Sequence, residues 1–218
     1  MGSVGGDINK IKDWLSQEGG SSGGTANPID ISKLGDTTLE AIESRIRGLK
    51  HEELYVFDEN DKLVEGYKGN STSVAFPTDL LSREGITVTH GHPKGMEEFG
   101  GTFSFADVNN MLNSKWAEHR ATASGQGEMN YIMRATAKAN PNGLRNRINK
   151  DFVKLKTDIA KEYRDTYANA TKDGKTKAQA RHMARQKAVG VLNRYYKDTM
   201  PKYGYEYITR KEQYRYGR

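Results

Sequence analysis

The sequence predicts a mixed α/β domain followed by a helical, basic extension, and three observations predict it. Between residues 37 and 139, short β-branched or apolar runs bounded by turn residues alternate with segments of helical period. The sharpest such run, residues 86–89 (ITVT), leads into His90-Gly91-His92-Pro93, and Ser104-Phe105-Ala106-Asp107 then opens a helical pattern. Asn140-Pro141-Asn142-Gly143 breaks the chain, and long helical stripes rich in lysine and arginine follow it. The expected divisions are therefore residues 1–36, 37–139 and 140–218.

Residues 1–36 read as a flexible N-terminal segment. Ile8, Ile11, Trp14 and Leu15 mark a short amphipathic helix suited to docking on a partner or covering a patch on the core, and EGGSSGG after it has linker composition. Asp36-Thr37-Thr38-Leu39-Glu40 is a capped helix start, and Leu39, Ile42, Ile46 and Leu49 keep helical spacing to about Lys50. Residues 53–57 (ELYVF) form a strand, Glu59-Asn60-Asp61 a hairpin turn, and residues 62–67 the return strand. Residues 73–76 read as a short strand or extended edge, and 78–81 as one helical turn after Pro77. The helix from Phe105 carries Val108, Met111 and Leu112 inward, with Trp116 beyond them. Residues 120–123 and 131–137 fit either further strands or a continued helix. Past the break, Ile148, Phe152, Leu155, Ile159 and Tyr163 lie on one stripe of a helix over 144–167. A turn at 171–175 leads to a second helix over 176–196, with Ala180, Met183, Ala184, Lys187, Val191 and Tyr195 near one face.

Side chains alternate along a strand, so His90 and His92 at a strand end point the same way. Gly91 between them lets the backbone come close to whatever they hold. Pro93 stops the ladder. Ser104 is an N-cap, and Asp107 falls in the first helical turn, where the helix dipole favours an acid. Two imidazoles and one carboxylate, with a position left for water, form the ligand set of a catalytic zinc site, although other divalent ions suit the same donors. Glu97 and Glu98, in the stretch between, are a second carboxylate source. The structural alternatives are a pair of turn histidines and an ordinary first-turn acid.

His-x-His-Pro followed by Ser-x-x-Asp resembles the signature of the JAMM (JAB, MPN+) metallopeptidases. The approach through ELYVFDENDKLVEGYKGN and ITVTHGHPKG is similar to the RadC-like branch and to JAMM-like domains of phage-encoded proteins. The resemblance covers roughly residues 52–123; the 15 positions from His92 to Asp107 exceed the family's usual gap. It implies a JAMM-like (deaminase-like) mixed sheet flanked by helices, with zinc held by His90, His92 and Asp107. It also implies hydrolysis of a peptide or isopeptide bond. Glu53, at the head of the early strand, would be the general base, with Glu52 as its neighbour one register step away. Ser104 would donate a hydrogen bond to the developing oxyanion.

Composition narrows the alternatives. The 218 residues include no cysteine, which excludes disulfides, thiolate metal sites and a cysteine nucleophile. Only 35% are hydrophobic and mean hydropathy is −0.84, so a modest core with polar additions is expected. No run is long enough to span a bilayer, and the expected setting is the host cytoplasm or a virion. Residues 151–218 carry 17 Lys and Arg against 8 Asp and Glu, whereas the preceding chain is mildly acidic. Tyr195, Tyr196, Tyr203, Tyr205, Tyr207, Tyr214 and Tyr216 are interleaved with those bases. This pattern suits phosphate contact with stacking on unpaired bases, or else tyrosines packed on the core. Glu118-His119-Arg120 reads as a solvated helix end, or else as a place from which His119 reaches the site or a substrate, and His51 and His182 fall outside any useful spacing. Three functional readings stand: a zinc hydrolase acting on a protein or peptide, a non-catalytic phage structural or DNA-binding protein on the same scaffold, and a His-metal nuclease.

Overall fold

The computed structural model describes residues 26–71, 73–92, 102–123 and 129–211, together with Gly6 and Asn9. The expected amphipathic helix and linker of residues 1–24, Pro93, the stretch with Glu97 and Glu98, and Tyr214 and Tyr216 lie outside the described residues.

Seven strands form one mixed sheet in the order β1-β3-β2-β4-β5-β6-β7. They are β1 (Asn27–Pro28), β2 (Glu53–Phe57), β3 (Leu63–Lys68), β4 (Thr87–His92), β5 (Glu118–Ala123), β6 (Met129–Ala135) and β7 (Tyr205–Lys211). Every pairing is antiparallel except that of β4 with β5. Four α-helices flank the sheet among the described residues: α1 (Leu39–Arg47), α2 (Phe105–Asn113), α3 (Pro141–Lys172) and α4 (Lys177–Thr199). The chain is thus α/β with a mixed sheet, as its pattern of alternating periods predicts.

The two sheet faces hold different cores. Leu54 and Val56 of β2, Val88 of β4, Ala121 of β5 and Met133 of β6 join residues of α2, α3 and α4 in the larger one. Tyr55 and Phe57, the alternate residues of β2, join Ile42 and Ile46 of α1 in the smaller one. This is the period-two alternation of a sheet covered on both sides.

Local chemistry explains the element ends. Thr38 caps α1 by accepting from the Ala41 N–H, and Gly48 closes it, a little before the expected end at Lys50. Ser104 and Asp107 form a reciprocal capping box at the start of α2. Asn140 caps α3, and Pro141 occupies its first turn, where a missing N–H costs nothing. The short strand expected at residues 73–76 does not form, although Val74 is buried there. Residues 118–123 and 129–135 are strands rather than a continued helix, because β5 completes the parallel pairing with β4 at the centre of the sheet.

The segment expected as a separate helical extension shares the larger core. Leu144, Ile148, Ile159 and Tyr163 of α3 and Ala184, Leu192 and Tyr196 of α4 pack in it. Its last described part is strand β7, paired along its whole length with β6. Tyr196, Tyr205 and Tyr207 are buried, so of the two readings for these tyrosines, packing on the core is the one observed. Tyr195 is half-buried and donates to Asp151 at 3.1 Å.

Gly91 serves the face opposite the histidines. A Cβ placed there would lie 1.9 Å from Cγ2 of Ile46 on α1, so the glycine allows the helix to lie flat on β4. The expectation that it admits a ligand is corrected accordingly. Gly91→Ala should destabilise the protein by about 1–3 kcal/mol through this overlap. Ile46→Ala should recover part of that loss in a double-mutant cycle read by denaturant unfolding.

Candidate metal site

Strand β4 extends through both histidines instead of stopping short of them, and His90 and His92 project from its α2 side. The register of β4 on β2 pairs His90 with Leu54, so the face they share is that of Leu54 and Val56. The capping box of α2 brings Asp107 to the same place. His90, His92 and Asp107 are all buried, and one ligand atom from each lies within 4.8 Å of the other two.

The donor atoms converge closely. The two Nε2 atoms are 3.1 Å apart. His90 Nε2 lies 3.3 Å from Asp107 Oδ1, and His92 Nε2 lies 3.6 Å from Asp107 Oδ2. Four-coordinate zinc with ligands at about 2.0–2.1 Å has donor-to-donor separations of about 3.3–3.4 Å. The spacing of these groups therefore fits such an ion. A buried His-His-Asp group of this kind can bind a metal ion.

Neighbouring groups fix the orientation of each donor. His90 Nδ1 lies 3.0 Å from the Arg120 carbonyl oxygen, which only accepts, so the Nδ1–H donates there and Nε2 is the nitrogen turned to the site. Such a bond from the far ring nitrogen is usual in metal-ligating histidines. Asp107 Oδ2 accepts from the Ser104 N–H and the Ser104 hydroxyl, both at 2.8 Å. Burial pushes the Asp107 carboxyl upward, yet the adjacent His90 and His92 hold it well below its ordinary value. The Ser104 hydroxyl accepts in turn from the Asp107 N–H at 3.2 Å. Its own proton is directed at the Asp107 carboxylate, so here Ser104 caps the helix and steadies a ligand.

Glu52 and Glu53 part company across the sheet. Glu53 faces α1, where its carboxylate accepts from Tyr55 at 2.6 Å, contacts His51 Nε2 at 2.9 Å and pairs with Arg45 at 3.4 Å. Burial raises the Glu53 carboxyl, but Tyr55, His51 and Arg45 bring it below its ordinary value. It is a structural anchor turned away from the histidines, contrary to the expectation that it lies at the site. Glu52 is its alternate neighbour, on the face of Leu54 and His90. The Val74 N–H donates to its carboxylate, and His92 and Asp107 lie close enough to bear on its charge. Burial raises Glu52 from 4.5 to about 7, with Asp107 adding to the rise and His92 opposing it.

Of the two readings of His119, a solvated helix end and a residue that reaches the site, the second is nearer to what is observed. His119 lies in β5 with no exposure, among Phe76, Phe103 and Trp116, with ring centroids 5.1–5.7 Å away. Burial and the neighbouring His90 lower it to about 3, so it is neutral. Had the alternation of EHRATA been taken as a strand, His119 would have been placed on the face of Ala121 and Ala123. His51 is bound to Glu53, and His182 is exposed on α4.

The opposite face of the same strands is tied together by charge. The Arg120 side chain donates to Glu43 of α1 through Nε and Nη2, and to Glu118 through Nη1. Asn130 also donates to Glu43, at 2.6 Å. This network clamps α1 onto β5 and β6, so the Arg120 carbonyl that orients His90 belongs to a well-held residue. On the other side, Tyr196 donates to the Phe103 carbonyl at 3.2 Å, and Tyr207 meets Thr102 at 2.6 Å. Helix α4 and strand β7 thereby hold the chain that enters the Ser104 cap.

Comparison with known proteins returned no match to a family model, to a curated protein or to a solved structure.

The raised Glu52 pKa has a defined consequence for metal-free protein. Its contribution to stability is fully present below pH 4.5 and is lost as pH rises through about 7. Glu52→Gln should therefore leave stability nearly unchanged below pH 4.5 and raise it above pH 7, by on the order of 3 kcal/mol at most. Thermal unfolding of both proteins across that range checks the sign.

Proposed function

We propose that this chain is a zinc-dependent hydrolase of the JAMM-like class, cleaving a peptide or isopeptide bond. The observation that carries the reading is the convergence of His90 Nε2, His92 Nε2 and the Asp107 carboxylate in one buried cluster. The resemblance of His90-Gly91-His92-Pro93 and Ser104-x-x-Asp107 to the JAMM signature supports it, as does an early-strand glutamate on the same face. The expected phage or mobile-element origin accompanies that resemblance.

In this reading His90, His92 and Asp107 hold the ion. Bound zinc supplies a Lewis acid that acidifies water and polarises a carbonyl. Glu52, not Glu53, takes the proton from the attacking water and returns it to the leaving amine. Its buried carboxyl lies on the same face as the three donors, close to His92 and Asp107, which suits both transfers. Ser104 keeps the Asp107 carboxylate turned toward the two imidazoles.

Titration calorimetry should find one zinc per chain. His90→Ala, His92→Ala and Asp107→Asn should each weaken that binding at least 100-fold. Glu52→Gln should retain zinc and lose at least 100-fold in cleavage of linked-peptide substrates, while Glu53→Gln should affect stability more than turnover. Absence of zinc binding in the parent protein would overturn the reading.

A second reading is favoured by the surface of α4. Lys177, Lys187, Arg194 and Lys197 are exposed on it, and Asp198 is its one acidic residue. A non-catalytic scaffold that binds nucleic acid through this face would contact phosphates, since Tyr196, Tyr205 and Tyr207 are packed inside. Affinity for single- or double-stranded DNA should then fall steeply between 50 and 200 mM salt, on the order of 10-fold or more. Lys187→Glu with Arg194→Glu should abolish it in a filter-binding assay.

A further inference from the structure

We propose that His119 is a positioning residue that fixes the tautomer of His90 and the spacing between His90 and Asp107. The part concerning zinc rests on the metal-binding reading above; the part concerning the tautomer does not.

The geometry places a hydrogen on Nδ1 of both rings. The carbonyl oxygens of Arg120 and Asp107 only accept. His90 Nδ1 lies 3.0 Å from the first, and His119 Nδ1 lies 3.2 Å from the second. Both Nδ1 atoms therefore carry hydrogen. The remaining contact, His119 Nε2 to His90 Nδ1 at 3.3 Å, then joins a lone pair on His119 to the hydrogen on His90. The His90 Nδ1–H is shared between the Arg120 carbonyl and His119 Nε2. Its Nε2 is thereby the nitrogen that faces His92 and Asp107 and that offers a lone pair to a bound cation. Were His90 to carry its hydrogen on Nε2, two lone pairs would face each other across that 3.3 Å contact, and the Arg120 carbonyl would lose its donor.

The same imidazole spans two elements. From β5 it reaches back to His90 on β4, and it donates to the backbone of Asp107 in the first turn of α2. One rigid ring thus sets how far the helix carrying the carboxylate stands from the strand carrying the imidazoles. Phe76, Phe103 and Trp116 hold that ring on its remaining sides, so it has little freedom to turn.

The test uses the full chain, with and without zinc ions. In the metal-free parent, ring-nitrogen NMR should show both His90 and His119 protonated on Nδ1. His119→Phe keeps a buried ring but removes both hydrogen bonds. In it the His90 signal should move toward a mixture of tautomers, and zinc affinity should fall about 10- to 100-fold. His119→Gln, whose amide can both donate and accept, should recover part of both effects. The proposal is overturned if the parent shows His119 protonated on Nε2. It is equally overturned if His119→Phe folds and keeps both the His90 tautomer and the zinc affinity, or if His119→Gln recovers neither. Should the parent bind no zinc while the NMR pattern is as expected, the metal reading fails and the positioning role stands. The parent spectrum decides the proton arrangement even if neither variant folds.

Discussion

The arrangement depends on three polar side chains being brought together where water is scarce. Two imidazoles and a carboxylate cannot be buried side by side unless their charges and lone pairs are matched. Here the match is made in two ways. The carboxylate is held by the Ser104 cap and by the imidazoles beside it. His90 is turned so that its far nitrogen gives hydrogen to the Arg120 carbonyl, and the near nitrogens of both imidazoles converge. The result is a cluster of donors whose natural complement is a small cation.

The sheet separates two tasks that adjacent residues could have confused. On the site face stand Glu52, Leu54, His90, His92 and His119. On the α1 face stand Glu53, Tyr55, Gly91, Arg120 and Glu43. The second face holds no cluster of metal-type donors among the described residues; it supplies rigidity. The buried Glu43–Arg120–Glu118 chain of charge-assisted bonds would be costly if any partner were missing, which ties α1 to the strands behind the histidines. Arg120 joins the two tasks, with its side chain in the clamp and its carbonyl on His90.

Among the described residues, the C-terminal third contributes to the site without offering it a donor. Its helices close the larger core, and the hydroxyls of Tyr196 and Tyr207 reach the chain just before Ser104. A stretch whose composition reads as a basic, tyrosine-rich appendage is thus part of the body that places Asp107. Its exposed bases, Lys154, Lys161 and Arg164 on α3 and Lys187 and Arg194 on α4, lie apart from the buried Tyr196, Tyr205 and Tyr207.

What the sequence determined by itself is local. The alternation of ELYVF and ITVTHGH, the Thr38 and Ser104 caps, and the Asn140-Pro141 break are written in neighbouring residues, because strand period, capping and proline geometry act over a few positions. They suffice for the mixed α/β class and for His90, His92 and Asp107 as one candidate group. Only the tertiary structure decided between Glu52 and Glu53, since a one-residue choice of face depends on which strand β2 pairs with and in what register. It also decided the place of His119, because a strand and a helix end look alike over EHRATA until β5 lies beside β4. It alone reassigned Gly91 to Ile46 and drew β7 into the sheet, for contacts between residues far apart in the chain leave no period in either segment.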